Sequence, residues 1–290
     1  MKIIVTGSLG NISKPMTKEL VKRGHSVVVI SSNYKKENDI VALGAKAAIG
    51  KLEDVEFLAS TFTGSDAVYC MVPFNFKETD QVDYFRRISN NYSRAIQKSG
   101  IKHVVLLSGW AAGIIDSYKD IENTFNELQD VSITLIRPGY FYSNFFDSVR
   151  KIKEKGIITA VFGGEDMIVF SAPSDIADAV VNEFIYPNKG KNVRYIASGK
   201  MTCNEAAKIL GMAIGKPDLK WMALAGIEVQ KELEMFGLSP ELASDIVKMQ
   251  MLIHKGLMVS EFSRHESEVI NGKVKLADFA EEFAHVFQSN

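Results

Sequence analysis

Lys2-Ile3-Ile4-Val5-Thr6-Gly7-Ser8-Leu9-Gly10-Asn11-Ile12-Ser13 is the stretch whose reading decides the fold. Ile3, Ile4 and Val5 form a β-branched run of the kind found in buried strands. The amphipathic residues 13–23 that follow predict a helix. Between them, Gly7 and Gly10 predict a tight turn: glycine is needed where φ must be positive or where a side chain would block a close approach. Strand, glycine turn and helix in that order aim backbone N–H groups and a helix N-terminus at one point, an arrangement suited to an anion. The spacing is G-x-x-G-x-x-S, which places Ser13 at the third small position, where helix and strand pack closely. Two readings are open. Thr6, Gly7, Ser8, Leu9, Gly10, Asn11 and Ile12 cradle the diphosphate of a dinucleotide, or the turn uses glycine for geometry alone.

Outward from this stretch, β-branched runs at 2–6, 26–31, 46–49, 67–72, 103–108 and 132–136 alternate with helix-like spacing at 13–23, 54–62, 80–99 and 118–128. That alternation predicts an α/β fold: a Rossmann-type, doubly wound parallel sheet. Ligands of such sheets sit at the carboxyl ends of the strands, near the point where strand order reverses. Beyond residue 150 the rhythm changes. Gly163-Gly164 marks a turn, 174–186 reads as a helix and 193–197 as a strand. Ser239-Pro240 carries the cap and first-turn signals of a helix start. The expected organisation is a dinucleotide-binding domain over 1–150, with 168–200 packing back onto it, and a smaller, mainly helical substrate lobe over 201–290.

The 34 basic and 35 acidic residues leave a net charge of −1, so no overall field favours nucleic acid or an anionic membrane. No secretory leader and no membrane-length apolar run is legible, and only two cysteines occur; Cys70 sits in an apolar run and reads as core. These features lead us to expect a cytoplasmic protein, monomeric or homodimeric, acting on a small molecule.

The end of the second strand discriminates between dinucleotides. An acidic residue there would bond the ribose 2′-OH and repel a 2′-phosphate. Ser31-Ser32-Asn33-Tyr34-Lys35-Lys36 contains none and offers hydroxyls, an amide and two cations instead. NADP(H) is therefore expected over NAD(H), with Ser31, Ser32, Asn33 and Lys35 as contacts. The lysines also fit a second description, as solvated charge opening a surface helix.

With these residues in hand, the chain resembles the NmrA-like atypical short-chain dehydrogenase/reductases, a group that includes NADPH-dependent quinone reductases and redox sensors. The likeness rests on Thr6-Gly7-Ser8-Leu9-Gly10-Asn11-Ile12, Gly64-Ser65-Asp66-Ala67-Val68, Leu106-Leu107-Ser108, Arg137-Pro138-Gly139-Tyr140-Phe141 with Asn144, and Ser174-Asp175-Ile176-Ala177. The resemblance implies that Met71, Val72 and Pro73 run past the adenosine and ribose. It also implies that Ser108, Gly109, Pro138, Gly139, Tyr140 and Phe141 flank the nicotinamide end. Lys51 departs from the family, many of whose members carry an acidic residue after the glycine that is Gly50 here.

The wider superfamily uses a Tyr-x-x-x-Lys pair, in which the lysine helps the tyrosine exchange a proton with a carbonyl. Aligned on Arg137, the lysine position falls on Lys119, and four residues earlier stands Ile115, which holds no exchangeable side-chain proton. Tyr118 is adjacent to Lys119 and points about 100° away on a helix, so it cannot replace the missing tyrosine. Lys119 and Ser108 are the candidate catalytic residues, Lys119 as a contact to the cofactor ribose or the substrate and Ser108 as a hydrogen-bond partner of the carboxamide or the substrate. Each has a plain alternative: a solvent-facing lysine and a serine satisfying local backbone. His25, His103, His254, His265 and His285 lack ligand spacing, and Ser108-Gly109 lacks the flanks of a nucleophile elbow. The apolar segment 221–258, with Met222, Met235, Met249, Met251 and Met258, reads as pocket lining or helix core. The sequence thus predicts an NADPH-dependent reductase of quinone-like or conjugated carbonyl compounds. A non-catalytic NAD(P)-binding sensor is the alternative, and a sugar-nucleotide epimerase a third reading.

Overall fold

The computed structural model describes residues 1–289. The first part of the chain alternates β1 (Lys2–Val5), α1 (Ser13–Lys22), β2 (Ser26–Ser31), α2 (Glu37–Ala42), β3 (Lys46–Ile49), α3 (Val55–Phe62), β4 (Ala67–Met71), α4 (Gln81–Ser99), β5 (His103–Leu107), α5 (Asp116–Asn126) and β6 (Ser132–Pro138). There follow β7 (Tyr140–Phe141), α6 (Val149–Lys155), β8 (Ile157–Ala160), β9 (Met167–Ser171), α7 (Pro173–Ile185), β10 (Lys191–Ala197), β11 (Gly199–Thr202) and α8 (Cys203–Ala213). The chain ends with β12 (Lys220–Ala223), α9 (Gly226–Met235), α10 (Pro240–His254), α11 (Leu257–Arg264), β13 (Val269–Asn271) and α12 (Leu276–Ser289). An eight-stranded sheet runs in the order β13-β10-β6-β5-β4-β1-β2-β3. This is the Rossmann-type α/β architecture expected.

Contacts divide the chain into a unit of residues 1–137 with 176–194 and a unit of 138–175 with 195–290. In the first, β1 pairs in parallel with β2 on one side and β4 on the other. The chain therefore builds outward through β2 and β3 and then returns across β1. Strand order reverses at that crossing, so the turns after Val5 and Met71 open side by side at the switch point. The central strands are buried on both faces and read as nearly continuous apolar runs. Alternate residues Ile4, Val28, Ile30, Val68, Cys70, Val104, Leu106, Ile133 and Leu135 make one face of the sheet. Onto it α4 packs Tyr84, Phe85, Ile88, Tyr92, Ala95 and Ile96 at helical spacing, with Leu58 and Phe62 of α3 and Ile121 and Phe125 of α5. Truncating one of the fully buried rings to alanine would cost about 3–5 kcal/mol. Cys70 is buried as expected, and burial pushes its thiol well above the ordinary range.

In the second unit β9 pairs antiparallel with β11 and parallel with β7, and β8 pairs with β12. Tyr140, Phe145, Phe162, Phe170 and Trp221 share edge-to-face and stacked contacts. Helices predominate from Cys203 onward. Asp175, on the first turn of α7, is 6% exposed and accepts hydrogen bonds from Ser198 Oγ (2.6 Å) and the N–H groups of Lys273 (3.0 Å) and Val274 (3.1 Å). Its carboxylate thus fastens a distant loop as well as suiting the helix dipole. Among the described residues, no helix is long and apolar enough to cross a membrane.

Several ends differ from the sequence reading. β1, β4 and β5 stop at Val5, Met71 and Leu107, one residue early, because Thr6, Val72 and Ser108 already belong to the turns. α5 begins at Asp116 rather than 118, since an acidic first turn suits the helix dipole and the apolar periodicity starts only at Tyr118. The short strands of the second unit carry no clear two-residue alternation and were not expected.

His103, at the start of β5, is 8% exposed, lies edge-on to Phe184 at 5.5 Å, and its Nε2 has no hydrogen-bond partner among the described residues. Burial holds its pKa below the ordinary 6.5, with Glu183 opposing more weakly. Stability from the neutral ring is then complete above the ordinary pKa. It is lost as pH falls through 6.5 toward the folded value, because the unfolded chain takes up the proton first. We predict that Tm falls between about pH 7 and pH 5 more steeply in the wild type than in His103→Leu, as read by calorimetry.

Candidate functional site

Thr6, fully buried, organises the switch point. Its N–H donates to the Tyr69 carbonyl (3.2 Å), its Oγ1 accepts from the Met71 N–H (3.0 Å), and its carbonyl accepts from Ser13 Oγ (2.8 Å). The first two bonds tie the turn after β1 to the end of β4; the third ties it to the start of α1. Gly7 follows at φ +86°, and a Cβ there would stand 2.7 Å from Ser13 Oγ and 3.1 Å from Met71 Cγ. No L side chain fits that position without a shift. Ser13 is small enough to pack there and polar enough to hold Thr6.

Ser8 adopts φ +55°, a left-handed conformation that costs a non-glycine residue on the order of 1 kcal/mol. Its N–H donates to the Ile30 carbonyl (3.1 Å) and its hydroxyl to Ser31 Oγ (2.9 Å), two bonds that hold the strained turn against the end of β2. The Gly10 N–H closes the turn on the Gly7 carbonyl at 3.1 Å. Leu9 is half-buried, Gly10 and Asn11 are exposed, and Ile12 is buried. α1 then starts with no side-chain cap and no acidic residue in its first turn. Its positive end is left without a negative partner of its own, as a phosphate site requires.

At the end of β2, Ser31 is 2% exposed and works as an internal bracket: its Oγ also accepts from the Asn33 N–H (3.2 Å) and donates to the Asn33 carbonyl (3.3 Å). Ser32, Asn33 and Lys35 are exposed. Asn33 Oδ1 accepts from the Lys35 N–H at 3.0 Å and starts a helical turn over Tyr34–Lys36. Lys36 pairs with Asp39 at 3.3 Å, while Lys35 has no ion pair among the described residues. Of the two cations in the sequence motif, Lys35 is the one left for an outside anion. Gly50 packs beneath Phe57, whose ring would have to shift for a Cβ that would stand 2.5 Å from it; Lys51 beside it is exposed.

Met71, Val72 and Pro73 are half-buried, and the Met71 carbonyl accepts from the Tyr92 hydroxyl at 3.0 Å. Next along the sheet, Ser108 and Gly109 leave the end of β5 half-buried. The Ser108 N–H is spent on the Ile136 carbonyl (2.8 Å), and its Oγ lies 2.6 Å from Glu122 Oε1. Glu122 is 4% exposed and makes a two-point ion pair with Arg137: Nε to Oε1 at 2.9 Å and Nη2 to Oε2 at 2.6 Å. Removing one partner of so buried a pair costs about 3–5 kcal/mol. Lys119 is exposed on α5. Tyr118, half-buried, packs its ring toward Phe85, and burial pushes its hydroxyl up to about 12.

Glu122 is the residue the sequence reading missed. Tyr118, Ile121, Glu122 and Phe125 follow helical spacing on one face, and a carboxylate within an otherwise apolar stripe needs a buried partner. That was the available signal.

Pro138, Gly139, Tyr140 and Phe141 fall in the second unit. The Gly139 N–H donates to Ser171 Oγ (2.8 Å), and a Cβ there would meet the Val169 carbonyl oxygen at 2.3 Å. The aromatic run is not exposed: Tyr140 lies among Phe145, Phe162, Phe170 and Trp221, and Tyr142 is fully buried. Core packing thus accounts for Tyr142, while Tyr140 and Phe141 are half-buried. The apolar segment 221–258 divides likewise. Leu242 and Met258 are core, while Met222, Met235, Phe236 and Met251 are exposed.

Residues 7–144 match the family described as NAD(P)H-binding. The matched span begins at the switch-point turn, in agreement with the NmrA-like resemblance. Among curated proteins, the divinyl chlorophyllide a 8-vinyl-reductase of Arabidopsis thaliana is 26% identical over 249 residues, 74% of this chain and 58% of its own length. The chain spans 33% to 58% of the curated relatives it matches. The crystal structure of an NADPH-dependent quinone oxidoreductase from Escherichia coli, complexed with NADPH, superposes with a TM-score of 0.79 at 19% identity. That match covers 97% of this chain and 99% of the other. UDP-glucose-4-epimerase from Stenotrophomonas maltophila shares the fold at a TM-score of 0.70 and 15% identity, covering 100% and 98%.

Two substitutions separate binding from folding. Gly7→Ala should destabilise the protein by about 1–3 kcal/mol in chemical denaturation, because its φ is positive and its Cβ lacks room. Asn11→Asp puts a carboxylate beside the open end of α1. It should leave Tm unchanged or slightly raised while weakening NADPH binding about tenfold in calorimetry.

Proposed function

We propose that this chain is an NADPH-dependent reductase that delivers hydride to a small quinone-like or otherwise conjugated carbonyl acceptor. One observation carries the reading: the uncapped, carboxylate-free start of α1 adjoins a β2 end that exposes Ser32, Asn33 and Lys35 and holds no acid. In this reading the N–H groups of Gly7, Leu9, Asn11 and Ile12 hold the diphosphate, while Ser8 and Gly10, whose N–H groups bond the Ile30 and Gly7 carbonyls, set the shape of the turn. Ser32, Asn33 and Lys35 hold the 2′-phosphate. Thr6 and Ser31 fix the two loops, and Met71, Val72, Pro73 and Gly109 line the path toward the nicotinamide. When bound, the reduced nicotinamide supplies the hydride.

The protein's own groups offer little acid chemistry, and that narrows the acceptor. Ile115 has no side-chain proton to give, half-buried Tyr118 packs toward Phe85 with its hydroxyl pushed up to about 12, and Ser108 faces a carboxylate. Exchange of a proton with a sugar alcohol, as an epimerase needs, would lack the tyrosine that the wider superfamily places where Ile115 stands. A conjugated acceptor is less demanding, because its reduced form spreads the charge and water can protonate it. Exposed Lys119 is left to bind or orient.

Purified protein incubated with NADPH and a quinone series should consume the reduced nicotinamide, with NADPH bound about tenfold or more tightly than NADH. Lys35→Glu should abolish that preference by weakening NADPH alone. Tight NADPH binding without turnover on any acceptor would favour the sensor reading, and tighter NADH binding would overturn the assignment of Ser32, Asn33 and Lys35.

A further inference from the structure

The hydrogen-bond count at the end of β5 fixes what Ser108 can offer a ligand. Glu122, held by two charge-assisted bonds from Arg137, is a carboxylate that only accepts. At 2.6 Å, the proton between Glu122 Oε1 and Ser108 Oγ therefore comes from the serine. The Ser108 N–H is already spent on Ile136, so the residue has lone pairs left to present and no donor.

The order of the strands says what would meet those lone pairs. With the diphosphate at the turn after β1 and the adenosine toward the end of β2, the other half of a dinucleotide leads the opposite way, over β4 and β5. On the NADPH reading above, we propose that Glu122 is a positioning residue that locks Ser108 as a hydrogen-bond acceptor. Ser108 in that state recognises the carboxamide N–H of the nicotinamide. Its role is cofactor selection, and it is no acid for the substrate carbonyl.

The test compares the dissociation constants of NADPH and of its reduced 3-acetylpyridine analogue, which keeps every phosphate and replaces the carboxamide with a methyl ketone that has no N–H. A general loosening of the protein weakens both ligands and leaves the ratio unchanged. The wild type should prefer NADPH by about five- to tenfold, the effect of one hydrogen bond with its acceptor left unpaired. Ser108→Ala should reduce the ratio to about twofold or less, and Ser108→Thr should retain it. Glu122→Leu should also reduce it, because without an acceptor beside it the serine can turn its proton toward the ligand. Glu122→Gln, whose amide oxygen can still accept from Ser108 Oγ and Arg137 Nε, should retain it. Should either Glu122 variant fail to fold, the two serine variants carry the test. Equal binding of the two dinucleotides by the wild type, or an unchanged ratio in Ser108→Ala, overturns the inference. Binding of neither overturns the NADPH reading itself.

Discussion

Everything at the candidate site depends on Thr6, a buried residue whose three hydrogen bonds pull the end of β4 and the start of α1 onto a single turn. Strand order alone would bring the two loops side by side. Thr6 fixes how closely they approach, and Gly7 and Ser13 are the residues whose size that closeness tolerates. The left-handed Ser8 is the cost of aiming the turn outward, and its bonds to Ile30 and Ser31 offset it. A rigid, strained turn with an uncapped helix behind it is prepared for an anion before any arrives, so little ordering remains to oppose binding.

The charges around this turn are placed with the same economy. Carboxylates are absent from the first turn of α1 and from residues 31–36 at the end of β2, where they would oppose phosphate. The one buried carboxylate nearby, Glu122, is neutralised by Arg137 at two points. Lys36 is engaged by Asp39, leaving Lys35 exposed and without an ion pair among the described residues. Ser108 is tied to Glu122 and Tyr118 packs against Phe85, leaving exposed Lys119 to bind or orient, which suits a domain that holds a dinucleotide while that dinucleotide does the chemistry.

How much of this was legible in the sequence depended on distance along the chain. The strand-turn-helix of residues 2–23, the alternation that builds the sheet and the acid-free end of β2 are local patterns, and each is visible without the fold. Glu122, Ser108 and Arg137 stand 14 and 15 residues apart on a helix and two strand ends, so their meeting exists only once the sheet has formed. Ser31 looked like a ligand contact in sequence, yet its hydroxyl joins two loops of the protein. Tyr140, expected at the nicotinamide end, is half-buried against Phe170 in the second unit, whose aromatic core also encloses the fully buried Tyr142.

The central claim is that the backbone of the amino-terminal turn receives the diphosphate, and amide NMR reads that backbone directly. Titrating nitrogen-15-labelled protein with NADPH should move the amide resonances of Gly7, Leu9, Gly10, Asn11, Ile12 and Ser13 first and furthest, saturating together. If NADPH binds at saturation while those amides stay in place and the largest shifts fall elsewhere, the turn is a folding device alone and the account is wrong.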